Sequence, residues 1–166
     1  MSIKEHELLE ECLQQYRNHT QSIESLLQEA GTNLDKAQAI QPRKKILVVD
    51  DNPYIRDVLA RLLEYEQFEV ITAEDGRGAL DRAASEHPDL IVIDFNMPHL
   101  DGAHVIRRLR NQAEFEEVPI LAITAYGHYA ASQSMQAGAD RTMIKPLEAD
   151  LLISSINEML DQSKAA

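Results

Sequence analysis

The sequence predicts an α/β protein with a doubly wound parallel sheet and an α-helical extension at its N-terminus. From residue 45 onward, five short apolar runs alternate with segments whose apolar residues recur at helical spacing. The runs at 46–49 and 90–93 are apolar without alternation, which is typical of strands buried on both faces. Because right-handed crossovers place helices on either side of such a sheet, this order of elements favours a doubly wound arrangement.

The predicted extension covers residues 1–41 and is rich in Glu, Gln and Leu. Its apolar residues alternate spacings of four and three, which is the seam of a heptad repeat. The seam comprises Leu9, Leu13, Tyr16, Thr20, Ile23, Leu27, Ala30, Leu34 and Ala37, of which only Thr20 is polar. A coiled-coil homodimer explains this seam, and a helical hairpin folded onto the rest of the chain is the alternative. Gly31 and Thr32 support the hairpin, since they suit the end of one helix and the start of another.

The predicted α/β domain covers residues 44–162, after a short polar linker that begins at Pro42. Its strands are expected at 46–49, 68–73, 90–93, 120–123 and 143–144. Its helices are expected to start at Pro53, to cover 78–86, to include 105–109, to run through Met135 and to cover 147–160. Asn52 before Pro53 is a start signal because Pro suits the first position of a helix. A turn is expected at Met97-Pro98 and Asp101-Gly102.

Composition argues against several classes of function. The formal net charge of -12 disfavours nucleic-acid binding by the chain itself, because that affinity comes mostly from clustered Lys and Arg. No stretch approaches the roughly 18 apolar residues that span a bilayer, and no signal peptide is evident, so a cytoplasmic protein without a membrane anchor is expected. The single Cys12 and the scattered histidines offer no cluster for a transition metal.

Polar side chains stand where the predicted strands end: Asp50 and Asp51, Asp94, Thr124, and Lys145. The carboxyl ends of parallel strands share one edge of the sheet, so these residues are expected to converge there. Crowded carboxylates repel one another unless a cation neutralises them, and Mg²⁺ prefers such oxygen ligands. A lysine beside the cation would attract an anionic phosphodonor, and an aspartate can act as its nucleophile. The pattern therefore predicts a cation-dependent phosphate site.

The same segments resemble the motifs of receiver domains from bacterial two-component response regulators. The resemblance rests on residues 48–52, 88–94, 123–125 and 138–140, on Met97-Pro98 with Asp101-Gly102, and on Lys145-Pro146. It covers about residues 44–162 and implies a flavodoxin-like sheet with strand order 2-1-3-4-5.

The resemblance also implies roles for the residues at the strand ends. Asp94 would be the phosphoacceptor, and it would hold Mg²⁺ together with Asp51 and the backbone carbonyl of Asn96. Asp50 would hold the ion directly or through water. Lys145 would pair with the phosphoryl oxygens.

Further implied roles concern switching and the lifetime of the phosphorylated state. The hydroxyl of Thr124 would move to hydrogen-bond the phosphoryl group, and Ala125 is the small residue that leaves access to it. Asn96 and Tyr126 would tune dephosphorylation by admitting or blocking water. Thr142 departs from the family, which usually has Tyr or Phe there, so the usual coupling to the face of the last two helices and last strand is in question. One hypothesis is that Tyr126 supplies the missing ring.

Three functions are compared. The first is a phosphorylation-controlled switch that takes its phosphoryl group from a histidine kinase or phosphotransfer protein and acts on an unknown downstream protein. It would not be an enzyme beyond its own Mg²⁺-dependent phosphorylation and dephosphorylation. The output is expected to be a protein contact, since no further globular domain follows Leu160 in this sequence. The second is a phosphorylation-independent interaction scaffold. The third is an aspartate-nucleophile phosphatase, which is disfavoured because Asn96 has no proton to give.

Overall fold

The computed structural model describes residues 43–97 and 102–163, and their sheet has the strand order β2-β1-β3-β4-β5 with every pair parallel. The strands are β1 (Lys45–Val49), β2 (Glu69–Ala73), β3 (Leu90–Asp94), β4 (Ile120–Thr124) and β5 (Arg141–Ile144). The helices are α1 (Pro53–Tyr65), α2 (Gly76–Glu86), α3 (Gly102–Arg110), α4 (Gly127–Ala137) and α5 (Ala149–Gln162), with a short 3-10 turn at Ala113–Phe115. The predicted fold and strand order are confirmed. The predicted extension at 1–41, the linker residue Pro42, and the turn residues Pro98 and Asp101 lie outside the described residues.

The three central strands divide their apolar side chains between two faces. One face of β1 carries Leu47 and Val49, which pack with buried residues of α2, α3 and α4. The other carries Ile46 and Val48, which pack with α1 and α5. Every residue of β3 and β4 is buried. These strands therefore have no polar alternation along their length, and polar side chains appear only where each strand ends.

Capping residues decide where two of the helices begin. The side chain of Asn52 accepts hydrogen bonds from the backbone amides of Tyr54 (3.0 Å) and Ile55 (3.4 Å), so α1 begins at Pro53 as predicted. The carboxylate of Asp75 accepts from the amide of Gly78 at 2.7 Å. It caps α2, which therefore begins at Gly76, two residues before the predicted start.

The first residues of β2 and β5 differ from the prediction. The amide of Phe68 donates to the carbonyl of Leu63 and belongs to the turn that ends α1, so β2 begins at Glu69. The last strand begins at Arg141 because Arg141 pairs with Leu121 of β4. As an edge strand β5 is only partly buried, which explains why its first residues form no apolar run.

Arg110, at the end of α3, joins the segments that lead into β4 and β5. Its guanidinium donates to the backbone carbonyls of Phe115 (2.6 Å), Val118 (2.9 Å) and Gly138 (2.9 Å), and to the carboxylate of Asp140 (2.7 Å). Gly138 has φ +108°, and a Cβ there would lie 2.9 Å from Cγ of Arg110. The glycine thus supplies both a left-handed backbone and the room that the arginine needs.

Among residues 43–97 and 102–163, we find no helix whose length and apolar character would allow it to cross a membrane.

Candidate functional site

The parallel register brings the predicted site residues to one edge of the sheet. Asp50 and Asp51 follow β1, and Asp94 is the last residue of β3. Thr124 is the last residue of β4, and its carbonyl accepts from the amide of Lys145 at 2.8 Å just after β5. Residues 95 positions apart in the chain, Asp50 and Lys145, therefore lie in hydrogen-bonding contact. We call these five residues the site cluster.

Three carboxylates form the acidic part of the cluster. One oxygen from each of Asp50, Asp51 and Asp94 lies within 4.8 Å of the other two. Asp50 is 2% exposed and Asp94 is 8% exposed, whereas Asp51 is exposed. The set offers hard oxygen donors with one open side, and it fits a divalent cation that keeps part of its water.

Lys145 bridges the two buried carboxylates. Its Nζ lies 3.0 Å from Oδ2 of Asp94 and 3.3 Å from Oδ2 of Asp50. Burial alone lowers the pKa of Lys145, but the two carboxylates outweigh that effect, so its pKa is raised and its charge is secure. The lysine supplies one positive charge to a group of three carboxylates.

The other oxygen of each buried carboxylate is held by the backbone. Oδ1 of Asp50 accepts from the amide of Asn52 at 2.8 Å, and Oδ1 of Asp94 accepts from the amide of Asn96 at 3.0 Å. Both are local turns of the kind that Asp favours. Each carboxylate is thus oriented by its own loop and keeps its second oxygen toward Lys145.

The structural roles of two residues at the site were not identified from the sequence. Arg56 of α1 donates to the backbone carbonyl of Asp50 at 2.7 Å, which fixes the loop that carries the first carboxylates. Gly102 lies so close to the end of β3 that a Cβ would be 2.8 Å from the carbonyl oxygen of Asp94 and 2.7 Å from Cα of Phe95. An arginine in the first turns of a helix does not by itself indicate a contact with the loop before that helix. Gly102 was recognised as a turn residue, but the close approach that requires it was not.

The hydroxyl of Thr124 is fully buried and has two partners. It donates to Oδ1 of Asn96 at 2.8 Å and accepts from the amide of Tyr126 at 3.1 Å. Ala125, which lies between Thr124 and Tyr126 in the chain, is exposed.

Thr142 lies on β5 and contacts α4 rather than the site cluster. Its hydroxyl is 2.5 Å from the hydroxyl of the buried Ser134, which itself donates to the carbonyl of Ala131 at 2.8 Å. Because the single proton of Ser134 is used there, Thr142 donates to Ser134. Tyr126 is 71% exposed, so its ring does not fill the interior beside Thr142 in this structure.

Because Asp50 is buried, we expect the stability of the metal-free protein to depend on pH. Burial raises the pKa of Asp50 from 3.8 to about 6, against the opposing effect of Lys145. The folded protein therefore holds this proton more tightly, and the contribution of Asp50 to the free energy of unfolding falls as the pH rises from about 4 to about 6. We expect Asp50→Asn to be more stable than the wild type above that window, by roughly 1–3 kcal/mol.

The check is urea unfolding of both proteins in chelator at several pH values. The difference in free energy of unfolding should grow from pH 4 to pH 7 and then level off, and Mg²⁺ should reduce it by stabilising the wild type. A difference that does not change with pH would contradict the raised pKa of Asp50.

Comparison with known proteins gives one consistent result. The family model described as response regulator receiver domain matches residues 46–157. Among curated proteins, the chain is 39% identical over 117 residues to response regulator MprA of Mycolicibacterium vanbaalenii, covering 70% of this chain and 50% of that protein. It is 39% identical over 123 residues to the probable transcriptional regulator ycf27 of Cyanophora paradoxa, covering 74% of this chain and 50% of that protein. The chain thus spans about half the length of these curated relatives.

Solved structures agree with the fold. The chemotaxis response regulator CheY4 of Vibrio cholerae superposes with a TM-score of 0.67 at 30% identity, covering 70% of this chain and 98% of that one. A response regulator receiver domain protein from Clostridium thermocellum gives a TM-score of 0.69 at 28% identity, covering 74% of this chain and 98% of that one.

Proposed function

The chain belongs to the response regulator receiver family, whose members act in phosphorylation-dependent signalling, and we propose that Asp94 is the residue of this chain that accepts the phosphoryl group. The observation that supports this choice is the position of its carboxylate. It is the last residue of β3, the central strand of the sheet, and it is nearly buried; one oxygen accepts from the amide of Asn96, and the other accepts from Nζ of Lys145 at 3.0 Å.

The proposed metal site uses the same cluster. Receiver domains bind Mg²⁺ at their acidic pocket, and here Asp50, Asp51, Asp94 and the backbone carbonyl of Asn96 would hold it. The bound ion supplies positive charge that offsets the repulsion between these carboxylates and an incoming phosphoryl group. Asp50 and Asp94 are already oriented by their loops, so little rearrangement of the protein is needed to bind it.

The proposed reaction is phosphoryl transfer to the Asp94 carboxylate. A carboxylate oxygen of Asp94 forms a bond to phosphorus, and the bond between phosphorus and the leaving nitrogen of a phosphohistidine breaks. The nitrogen keeps the electron pair and takes a proton from solvent. Lys145 would leave Asp50 and pair with a phosphoryl oxygen, and the hydroxyl of Thr124 would donate to another. Hydrolysis of the acyl phosphate restores Asp94.

The remaining residues at the mouth of the site would modulate that cycle. Ala125 would leave the phosphoryl group accessible, and the exposed Asn96 and Tyr126 would admit or block the hydrolytic water. Thr142 has no aromatic ring to swing inward, and its hydroxyl is hydrogen-bonded to that of Ser134.

The family also indicates the kinds of partner protein. Response regulators are phosphorylated by histidine kinases and act on downstream targets, and we propose a histidine kinase or a phosphotransfer protein as the donor here. Members of the family are generally not enzymes with an external substrate. The division into residues 1–41 and 44–162, the homodimer through the heptad seam, and the lack of nucleic-acid binding remain predictions from the sequence.

A phosphorylation-independent scaffold is less well supported. A binding scaffold has no need to keep two buried carboxylates on one lysine, since burying these charges is unfavourable and raises the pKa of Asp50. A phosphatase is also less well supported, since the amide of Asn96 cannot serve as an acid.

The direct test is the intact mass of the full chain after incubation with acetyl phosphate. With Mg²⁺ we expect one added phosphoryl group, and with the metal chelated we expect none. Borohydride reduction of the acyl phosphate should then mark residue 94 in a peptide map. A modified protein marked at another residue, or no modification with Mg²⁺ present, would overturn the assignment.

A further inference from the structure

The hydroxyl of Thr124 has a single proton, and in this structure that proton is committed to Asn96. Thr124 Oγ1 lies 2.8 Å from Oδ1 of Asn96, and it accepts a separate hydrogen bond from the amide of Tyr126 at 3.1 Å. An amide oxygen accepts and never donates, so the direction of the first bond is fixed by chemistry. The donor capacity of this buried hydroxyl is therefore used before any phosphoryl group arrives.

Asn96 is placed to compete with a phosphoryl group on Asp94. Its backbone amide donates to Oδ1 of Asp94 at 3.0 Å, so the residue is tied to the phosphoacceptor while its side chain reaches Thr124. Phosphoryl oxygens are strong hydrogen-bond acceptors. Thr124 cannot donate to Asn96 and to the phosphoryl group at once, because it has one proton.

We propose that the Asn96 side chain is a latch that holds Thr124 in its resting rotamer and opposes its movement to the phosphoryl group. The inference rests on the proposed function of Asp94 and adds a positioning role for Asn96. Phosphorylation must break the latch before Thr124 can switch. The strength of this one hydrogen bond thus sets part of the balance between the resting and switched states.

The experiment measures binding of beryllofluoride, an inert analogue of a carboxylate-bound phosphoryl group, to the full chain with Mg²⁺. Four proteins are compared: wild type, Asn96→Leu, Thr124→Val, and the double variant. Leucine keeps the approximate size of asparagine and removes its acceptor, and valine keeps the shape of threonine and removes its proton. Spectra recorded without beryllofluoride verify that each variant is folded.

The deciding quantity is the fold-change in affinity that Asn96→Leu causes in the wild-type background, divided by the fold-change that it causes in the Thr124→Val background. If Asn96 acts as a latch, Asn96→Leu should tighten binding about threefold to tenfold more in the wild-type background than in the Thr124→Val background. This is the range of one ordinary hydrogen bond. Any direct contact between Asn96 and beryllofluoride, or any change in water access, affects both backgrounds and cancels. A ratio of one would overturn the latch.

A second measurement needs only the single variant. Three-bond couplings to the Thr124 methyl group report its χ1 angle, and Asn96→Leu should populate a second rotamer in the absence of beryllofluoride. An unchanged single rotamer would contradict the proposal. If wild type fails to bind beryllofluoride, or Asp94→Asn binds it equally, then the proposed function fails as well. If wild type binds and the ratio is one, only the latch fails.

Discussion

Replacing Asp94 with asparagine is expected to slow phosphorylation by at least about a thousandfold, the scale seen when an enzyme loses its nucleophile. A neutral amide oxygen is a poor nucleophile, and the change also removes one negative charge from the proposed metal site. The fold should persist, because the new amide oxygen can still accept from the amide of Asn96, as Oδ1 of Asp94 does now. The measurement is the time course of intact mass with acetyl phosphate and Mg²⁺.

The matched control is Asp81→Asn, the same chemical change at an exposed position of α2. It should be phosphorylated like the wild type. Equal modification of Asp94→Asn and wild type would show that the phosphoryl group is carried elsewhere. A loss of modification in both variants would point to a general effect of the substitution on the protein and not to a role of Asp94.

The sheet and the site could be predicted because burial and chemistry coincide at the strand ends. Residues 46–49 and 90–93 are fully apolar, so the first polar residue after each, Asp50 and Asp94, marks the edge of the core. Parallel pairing then forces these ends together. The convergence of these ends depends on strand pairing and not on side-chain positions, so the cluster could be predicted before its distances were known.

The contacts that depend on rotamers were not predictable. Asn96 was identified through its backbone carbonyl and its place beside the phosphoacceptor, but its side-chain bond to Thr124 joins residues 28 positions apart in the chain. Ser134 resembles any other polar helix residue in the sequence, and only the packing of α4 on β5 brings its hydroxyl to Thr142. Such pairs have no periodic signal, because each depends on how two elements pack and not on either element alone.

Arg110→Ala is expected to lower the free energy of unfolding by about 2–4 kcal/mol. The sequence places this arginine in the basic last turn of α3, where it resembles its exposed neighbours Arg107 and Arg108. The structure shows instead that it satisfies the backbone carbonyls of Phe115, Val118 and Gly138. Alanine would leave these part-buried acceptors without their donor. Urea unfolding measured in chelator reports the loss.

Two further variants distinguish the hydrogen bonds that Arg110 donates to the carbonyls from the effect of its positive charge. Arg108→Ala removes an arginine from the same helix at an exposed position and should change stability by no more than about 0.5 kcal/mol. Arg110→Lys keeps the positive charge near Asp140, but one ammonium group cannot replace a planar fork that reaches three carbonyls in different directions. The decrease in the free energy of unfolding for Arg110→Lys should be at least about half of the decrease for Arg110→Ala. Full recovery in the lysine variant would mean that the ion pair with Asp140, and not the carbonyls, accounts for the stabilisation. That outcome is disfavoured because Asp140 is exposed, and surface ion pairs contribute only about 0–1 kcal/mol.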